Sequence, residues 1–457
     1  MRLEQLQIKN YRCLSDLTIE LHPELTVLIA PNGAGKTTVL DAARVALWPF
    51  VKGFDLGSQA GKAANVHPLD ARLVQQADGN MEPQLPSGIT CAGRWASDLP
   101  QTTWTQARES IKANTHTLGD LGAKSLTRYA EQLEQQVRDG AVPVTLPLIS
   151  YLGTSRLWFE GRFTSNAEDT TLDINEYSRT SGYLNCLSYS SSFKAFTAWY
   201  AWVSRAHLES QIDALQRQAA LDETGQRFAQ TVEVIKSAVD ALVKDATGWH
   251  GLTYSQRHHQ QLVMKHEQHG VMPVDRLSDG LRNAIAMVAD LAFRAYKLNP
   301  HLGAQAARLT PGVALIDEVD MFLHPSWQQT ILKSLRTAFP KLQFIVSTHS
   351  PQVLSTVASE SVRILRDGQV HAAPAGTEGA EPGRLLTTAL GLSSVRPAQN
   401  EATQELLAYL AMVDGDQSDS TDALALRAKL DQRYQGNEPA LLEADLLIEN
   451  RKWEQGA

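Results

Sequence analysis

Residues 26–37 read Thr26-Val-Leu-Ile-Ala30 followed by Pro31-Asn-Gly-Ala-Gly-Lys-Thr37, and this stretch decides the fold. The first five residues are apolar and partly β-branched, the pattern of a short buried strand. Glycines follow, then Lys36, Thr37 and Thr38, then a helical pattern from Val39 to Leu47. A strand, a glycine-rich turn and a helix in that order make a phosphate-binding loop. Gly33 and Gly35 let backbone N–H groups turn inward around phosphates. Lys36 neutralises charge on the β- and γ-phosphates, Thr37 offers a hydroxyl to Mg²⁺, and the helix N-terminus adds a favourable dipole. Asn32, Gly33, Ala34, Gly35, Lys36, Thr37 and Thr38 are therefore expected to bind ATP with Mg²⁺. Ala30 stands where such loops begin with glycine, a mild exchange of one small residue for another.

Three further stretches extend the reading. Val313 to Ile316 is a second apolar strand, and it ends in Asp317-Glu318. A carboxylate at a buried strand end can hold Mg²⁺ through water, and an adjacent one can polarise the attacking water. Asp317 is thus the expected metal-side residue, with Thr37, and Glu318 the expected catalytic base. Phe344 to Val346 is a third apolar strand with His349 just beyond it, placed to bond the γ-phosphate and sense its loss. Leu277-Ser-Asp-Gly-Leu-Arg282 opens a helical stretch, Leu281 to Ala295. Leu277, Ser278, Asp279 and Gly280 would present a hydroxyl and backbone N–H groups to an anion; a plain helix cap is the competing reading.

In this order the four stretches resemble the ATP-binding-cassette ATPases, in the branch that includes RecF, Rad50, SMC and OLD proteins. In that family the Leu277–Gly280 signature loop caps the ATP held by a second subunit, so the resemblance implies a homodimer or higher homo-oligomer. Ile8-Lys-Asn-Tyr-Arg-Cys-Leu14 is similar to the branch's N-terminal strand, in which an arginine (here Arg12) approaches the nucleotide. Asp320, followed by Leu323-His-Pro325, is similar to its D-loop, which crosses the dimer interface. Pro147–Trp158, Gly182–Leu187 and Ser192–Phe196 resemble the PtuA-type ATPases of Septu and retron antiphage systems. That narrower likeness implies an HNH endonuclease partner of the PtuB kind, and admits a reverse transcriptase and a noncoding RNA as further partners. The competing function is a RecF-like DNA-repair ATPase that binds DNA directly.

The chain has 457 residues, 43% of them hydrophobic, enough for one large domain with insertions or for two domains. Its longest apolar runs are strand-sized, so no membrane span is expected. Three cysteines in no metal spacing point to a reducing cytoplasm and exclude a zinc hook. A net charge of −8 argues against a generally basic nucleic-acid surface. Arg156, Arg162, Arg179 and Lys194 would line a local basic groove, or be solvated charges and salt bridges.

The expected fold is α/β: a P-loop ABC-ATPase head with an antiparallel β subdomain, a short coiled-coil-like helical insertion and a small helical C-terminal extension. Residues 1–198 and 247–371 form the two parts of the head. Residues 199–246 are the insertion, either a short arm or a packed subdomain. Residues 383–457 are a partner-docking extension. The Ala-, Gly- and Pro-rich stretch from Ala372 to Pro382 reads as a linker. Asp414 and Asp416 read as a solvated loop between helices, so ATP hydrolysis is the only chemistry expected. A glutamine loop is expected near Gln75 or Gln84.

Overall fold

The computed structural model describes residues 1–59, 64–154, 178–188 and 193–456. It divides into two compact units, Met1–Leu385 and Leu386–Ala457.

The centre of the first unit is a six-stranded sheet. Its spatial order is Gln369–Ala372, Val362–Arg366, Leu25–Ile29, Leu342–Ser347, Gly312–Ile316 and Leu148–Leu152. Five strands run parallel, and only the edge strand Gln369–Ala372 is antiparallel. Every residue of the four strands from Leu25–Ile29 across to Leu148–Leu152 is buried. Continuous apolar runs of this kind suit a parallel sheet covered on both faces.

A five-stranded antiparallel sheet lies beside it, in the order Leu14–Glu20, Arg2–Tyr11, Ser87–Arg94, Thr102–Arg108 and Leu118–Gly119. Ser87–Arg94 alternates strictly between buried and half-buried residues, as a strand with one face on the core does. The helix Lys36–Lys52 touches strands of both sheets and is buried on all sides. It is fastened to the antiparallel sheet by Trp104, whose indole N–H donates to the Ala46 carbonyl at 2.7 Å. The phosphate-loop helix is therefore the filling between two sheets, which fixes the loop at its N-terminus.

Phe193–Gln216 and Glu223–Thr247 form the helical insertion, broken at residues 217–222. Asp222 caps the second helix, accepting from the Gly225 N–H. The face of that helix carrying Val234, Ile235, Ala238, Val239 and Leu242 is buried, and the helix packs on Asp279–Leu298. On the first helix Leu208, Ile212 and Leu215 remain exposed. The insertion is thus a packed subdomain along its second helix, with an uncovered apolar stripe on its first. A three-stranded meander, His250–Ser255, Gln261–His266 and Gly270–Pro273, then leads into the signature loop. His266 and His269 stack against Trp249 there.

Two stretches differ from their sequence reading. The expected linker 372–382 is anchored: Thr377 is buried, the Ser359 hydroxyl donates to the Pro374 carbonyl at 2.8 Å, and the Gly379 N–H donates to the Ser355 carbonyl at 2.8 Å. Hydroxyls satisfy the backbone of this Gly/Pro-rich loop, and the boundary between units falls beyond it. Arg156 and Arg162 lie outside the described residues, as do Ser155–Trp158 of the stretch Pro147–Trp158, Ser192, and the side chain of Lys194. Arg179 is described, and its guanidinium is committed to the carbonyls of Leu298 at 2.7 Å and Val144 at 2.6 Å.

The second unit is built around three helices, Glu401–Asp414, Thr421–Tyr434 and Pro439–Gly456. Leu406, Tyr409, Val413, Ala423, Leu430, Leu441 and Ala444 form its own core. Arg427 bonds the Asp445 carboxylate at 2.8 Å, linking the second helix to the third. No helix among the described residues is long and apolar enough to cross a membrane.

Candidate nucleotide site

The C-terminal ends of three adjacent strands converge on one place. Leu25–Ile29 runs into the phosphate loop, Gly312–Ile316 into Asp317-Glu318, and Leu342–Ser347 into Thr348-His349. Crevices at the carboxyl ends of parallel strands are where α/β sheets bind ligands.

In the phosphate loop, Gly33 has φ 81° and Gly35 φ 103°, left-handed values that favour glycine. Gly35 is the N-cap of the Lys36–Lys52 helix, with no side-chain cap and no acidic residue in the first turn. The first-turn N–H groups thus have no side-chain acceptor of their own, the condition under which a helix start receives a phosphate. The Lys36 ammonium donates to the Ala30 carbonyl at 3.0 Å, lying back across the loop. Ala30 is not among the residues of positive φ, so its methyl strains nothing. Cys13 and Leu14 pack over Gly35 from the N-terminal hairpin.

Asp317 is only 2% exposed. Its carboxylate accepts from the Thr37 hydroxyl at 2.9 Å and from the Ser347 hydroxyl. Ser347 also receives the Glu318 N–H on its hydroxyl at 2.8 Å and the Val319 N–H on its carbonyl at 3.0 Å. Glu318, half-buried, has φ 47°, a rare backbone state for a non-glycine residue. Thr348 donates its hydroxyl to Asp320. The expected metal-side and base residues therefore meet the phosphate loop. A hydroxyl beside a buried carboxylate is a donor set that fits Mg²⁺.

His349 projects from the end of the neighbouring strand and is exposed. Partial burial, then the charge of Lys36, lower its proton affinity below the usual value. Glu318, Asp320 and Asp317 oppose that shift. Burial lowers the Lys36 pKa, against the pull of the same three carboxylates. Lys36, Asp317, Glu318, Asp320 and His349 thus share one electrostatic neighbourhood.

Arg12 lies on the flank of the phosphate-loop helix. It has φ 51°, its Nε donates to Asp70 at 2.8 Å, and its Nη1 donates to Asp41 of that helix. Arg44 joins the same Asp41 at 3.3 Å. The structure thus gives Arg12 two carboxylates, with the phosphate loop one helical turn from Asp41.

The signature loop is built differently. Ser278 is the N-cap of Asp279–Leu298, yet its hydroxyl makes no cap bond, and Ser278 and Asp279 are exposed. Leu277 is buried beneath them. A Cβ on Gly280 would stand 2.4 Å from the Phe322 carbonyl oxygen, so no larger residue fits without backbone movement. Asn283 donates to the Met321 carbonyl at 3.0 Å. The signature helix is docked on the Asp320–Leu323 loop, leaving the Ser278 hydroxyl facing outward.

Sequence reasoning assigned no role to Ser347, Thr348, Asp41 or Asn283. Ser347 and Thr348 carried a signal, hydroxyls ending a buried strand beside an acidic strand end. Gln75 is exposed on the small strand Leu73–Gln75, and the Gln84 N–H bonds the Arg72 carbonyl, so the described contacts tie neither to the phosphate loop. The segment that does reach the site is the end of Leu148–Leu152, whose Leu152 carbonyl accepts the Asp317 N–H at 2.9 Å.

A family model described as "AAA domain" matches residues 5–237, and a second AAA domain model matches residues 168–355. The chain is 26% identical to "Retron Ec83 probable ATPase" of Escherichia coli, over 99% of this chain and 88% of that protein. It is 24% identical to "Retron Vc95 probable ATPase" of Vibrio cholerae, over 80% of this chain and 74% of that protein. A shorter match, 31% identical over 28% of this chain and 18% of its counterpart, is to "Septu protein PtuA" of Bacillus mycoides.

Ser347→Ala removes the hydroxyl shared by Asp317 and the Glu318 N–H. Each buried partner left unsatisfied costs about 1–3 kcal/mol. The expected result is a lower melting temperature and a kcat for ATP reduced at least about tenfold. Steady-state phosphate release and a thermal melt check both. A second expectation concerns pH. Because the folded state depresses the His349 pKa, the imidazole is neutral at pH 7. The stability tied to it is complete above the unfolded value of about 6.5 and is lost as pH falls from there through the lower folded-state pKa. NMR titration should find its midpoint below that of a free histidine, and Lys36→Ala should move it upward.

Proposed function

This chain belongs to the AAA domain family, and we propose that within it the protein is the nucleotide-operated subunit of an antiphage defence complex. It is an ATPase of the RecF/Rad50/SMC/OLD branch, related to retron and Septu ATPases. The observation that carries the fuller reading is the outward-facing signature loop. Every group needed to grip a Mg·ATP from one side converges at the strand ends, whereas the Ser278 hydroxyl and its helix N-terminus are exposed and uncommitted to their own helix. Two chains arranged head to tail would place Ser278 of one against the triphosphate held by Lys36 of the other.

In that arrangement the backbone N–H groups of Gly33 to Thr37 and the Lys36 ammonium bind the phosphates. Thr37 and Asp317 would hold Mg²⁺, which would supply positive charge beside the phosphate oxygens. Glu318 accepts a proton from the attacking water, and His349, neutral at pH 7, bonds the γ-phosphate. The Asp320–Leu323 loop carries the state of this site to the signature helix packed on it. Hydrolysis removes the shared γ-phosphate and with it the grip, so the dimer is a switch.

The reading extends to a separate HNH nuclease, the partner implied by the resemblance of Pro147–Trp158, Gly182–Leu187 and Ser192–Phe196 to PtuA-type ATPases, and the second unit's surface offers a place for it. On the last helix Leu442, Leu446 and Trp453 fall at helical spacing and are exposed. Residues 386–457 hold twelve acidic against six basic side chains. A partner with a basic, amphipathic contact segment suits that face. We assign this chain no nuclease chemistry of its own.

The test uses two variants of the full chain. Glu318→Gln should retain ATP binding, lower turnover at least about a hundredfold and shift the protein to a dimer with ATP in light scattering. Ser278→Arg should leave nucleotide affinity within about twofold while abolishing turnover. Hydrolysis that survives Ser278→Arg excludes the composite site. Purification from the native operon with ATP then tests the partner: a stoichiometric HNH protein is expected. A chain that comes alone and hydrolyses ATP faster on DNA is a repair ATPase instead.

A further inference from the structure

The same four parallel strands that end at the nucleotide site begin at a second concave site on the opposite side of the sheet. A cavity of about 670 Å³ opens there, in the size range of small-molecule sites. Pro23, Pro147, Pro311 and Pro340, all lining it, each stand within two residues of the start of a strand. Proline has no N–H, so these four positions present no backbone donor to the cavity. Strands of five or six residues separate it from the phosphate loop by roughly 17–20 Å.

Three kinds of side chain meet in the lining. Trp95 and Tyr129 face one another with ring centroids 5.6 Å apart and planes tilted by 31°. Arg2, Arg94 and Lys341 bring positive charge; the first two guanidiniums are aligned by one carboxylate, Glu4, at 2.7 and 3.0 Å. Glu24 is the one acidic side chain in the lining, and it is paired with Arg336. Arg2 Nε and Trp95 Nε1 are buried N–H donors with no acceptor among the described residues.

We infer that this cavity binds a nucleotide, free or at the end of a single strand, with its base on the Trp95–Tyr129 pair and its phosphate toward Arg2, Arg94 and Lys341. An aromatic platform beside cationic side chains is the arrangement by which proteins hold unpaired bases. The volume is large enough for one nucleotide. The site is independent of the phosphate loop and makes the chain responsive to a second nucleotide species at the far end of the same strands. The inference stands on the cavity itself and does not depend on the defence reading.

The test fills the phosphate loop with an excess of the magnesium complex of a non-hydrolysable ATP analogue. Binding of AMP, by calorimetry, and of a 5′-phosphorylated trithymidylate labelled at its 3′ end, by fluorescence anisotropy, is then measured. Wild-type protein should bind at least one of the two. Trp95→Leu and Lys341→Ala should each weaken that binding at least about fivefold, the lower end for loss of one stacked base, with basal ATP hydrolysis unchanged. Lys341 is an exposed side chain, so its removal tests the site even where Trp95→Leu folds poorly. Tighter binding of AMP identifies a free nucleotide as the ligand, and tighter binding of the trinucleotide identifies a strand end. Failure of both probes to bind, equal binding by Lys341→Ala and wild type, or displacement by inorganic phosphate as effective as by AMP each overturns the inference.

Discussion

A buried carboxylate organises this protein. Asp317, almost without solvent exposure, has to be satisfied from within, because an unpaired buried charge is far costlier than an unpaired neutral group. Two hydroxyls reach it: Thr37, in the first turn of the phosphate-loop helix and 280 residues away in sequence, and Ser347, at the end of the adjacent strand and 30 away. Their bonds tie the ends of three adjacent strands together and so place the phosphate loop, the acidic pair and the histidine strand relative to one another. A hydroxyl suits this duty better than a cation. Thr37 gives its proton to Asp317 and still has lone pairs for a metal ion. The bond that holds the fold at this point therefore need not break for the site to bind Mg²⁺.

The neighbouring residue shows what that scaffold supports. Glu318 occupies a left-handed backbone conformation that costs a non-glycine residue of order 1–3 kcal/mol. The N–H of Glu318 and that of Val319 are both received by Ser347. One serine thus offsets the backbone cost at Glu318 while fixing the carboxylate of Asp317. The outcome is two consecutive acidic residues held at the start of the turn that leads into the Asp320 loop.

Much of this was legible in the sequence because the functional stretches are local. A glycine loop between a strand and a helix, an acidic pair ending a strand, and a small-residue loop opening a helix each declare themselves within a dozen residues. What supports them is not local. Asp41 reads as one polar residue in a helix, and only the fold brings Arg12 and Asp70 to it. Ser347 reads as a strand-end serine until the adjacent strand supplies Asp317. The stretch 372–382 reads as a linker from its composition, yet hydroxyl bonds from Ser359 and Thr377 hold it down. The insertion left two readings open, and tertiary packing of Glu223–Thr247 against the signature helix is not encoded in that helix's own pattern. The cavity at the strand beginnings was invisible, since its lining is drawn from seven separate parts of the chain.

The contact between Gly280 and the Phe322 carbonyl bears on how such a loop can diversify. The backbone of one segment occupies the volume that a side chain at position 280 would need, whereas positions 278 and 279 open to solvent. Mutational drift in the motif is therefore channelled: the inward position is closed by the fold of its own chain, whereas the outward ones are constrained only by whatever docks there. A pentapeptide of this construction can lose its resemblance to relatives at several letters while its mechanical coupling to the adjoining loop stays intact.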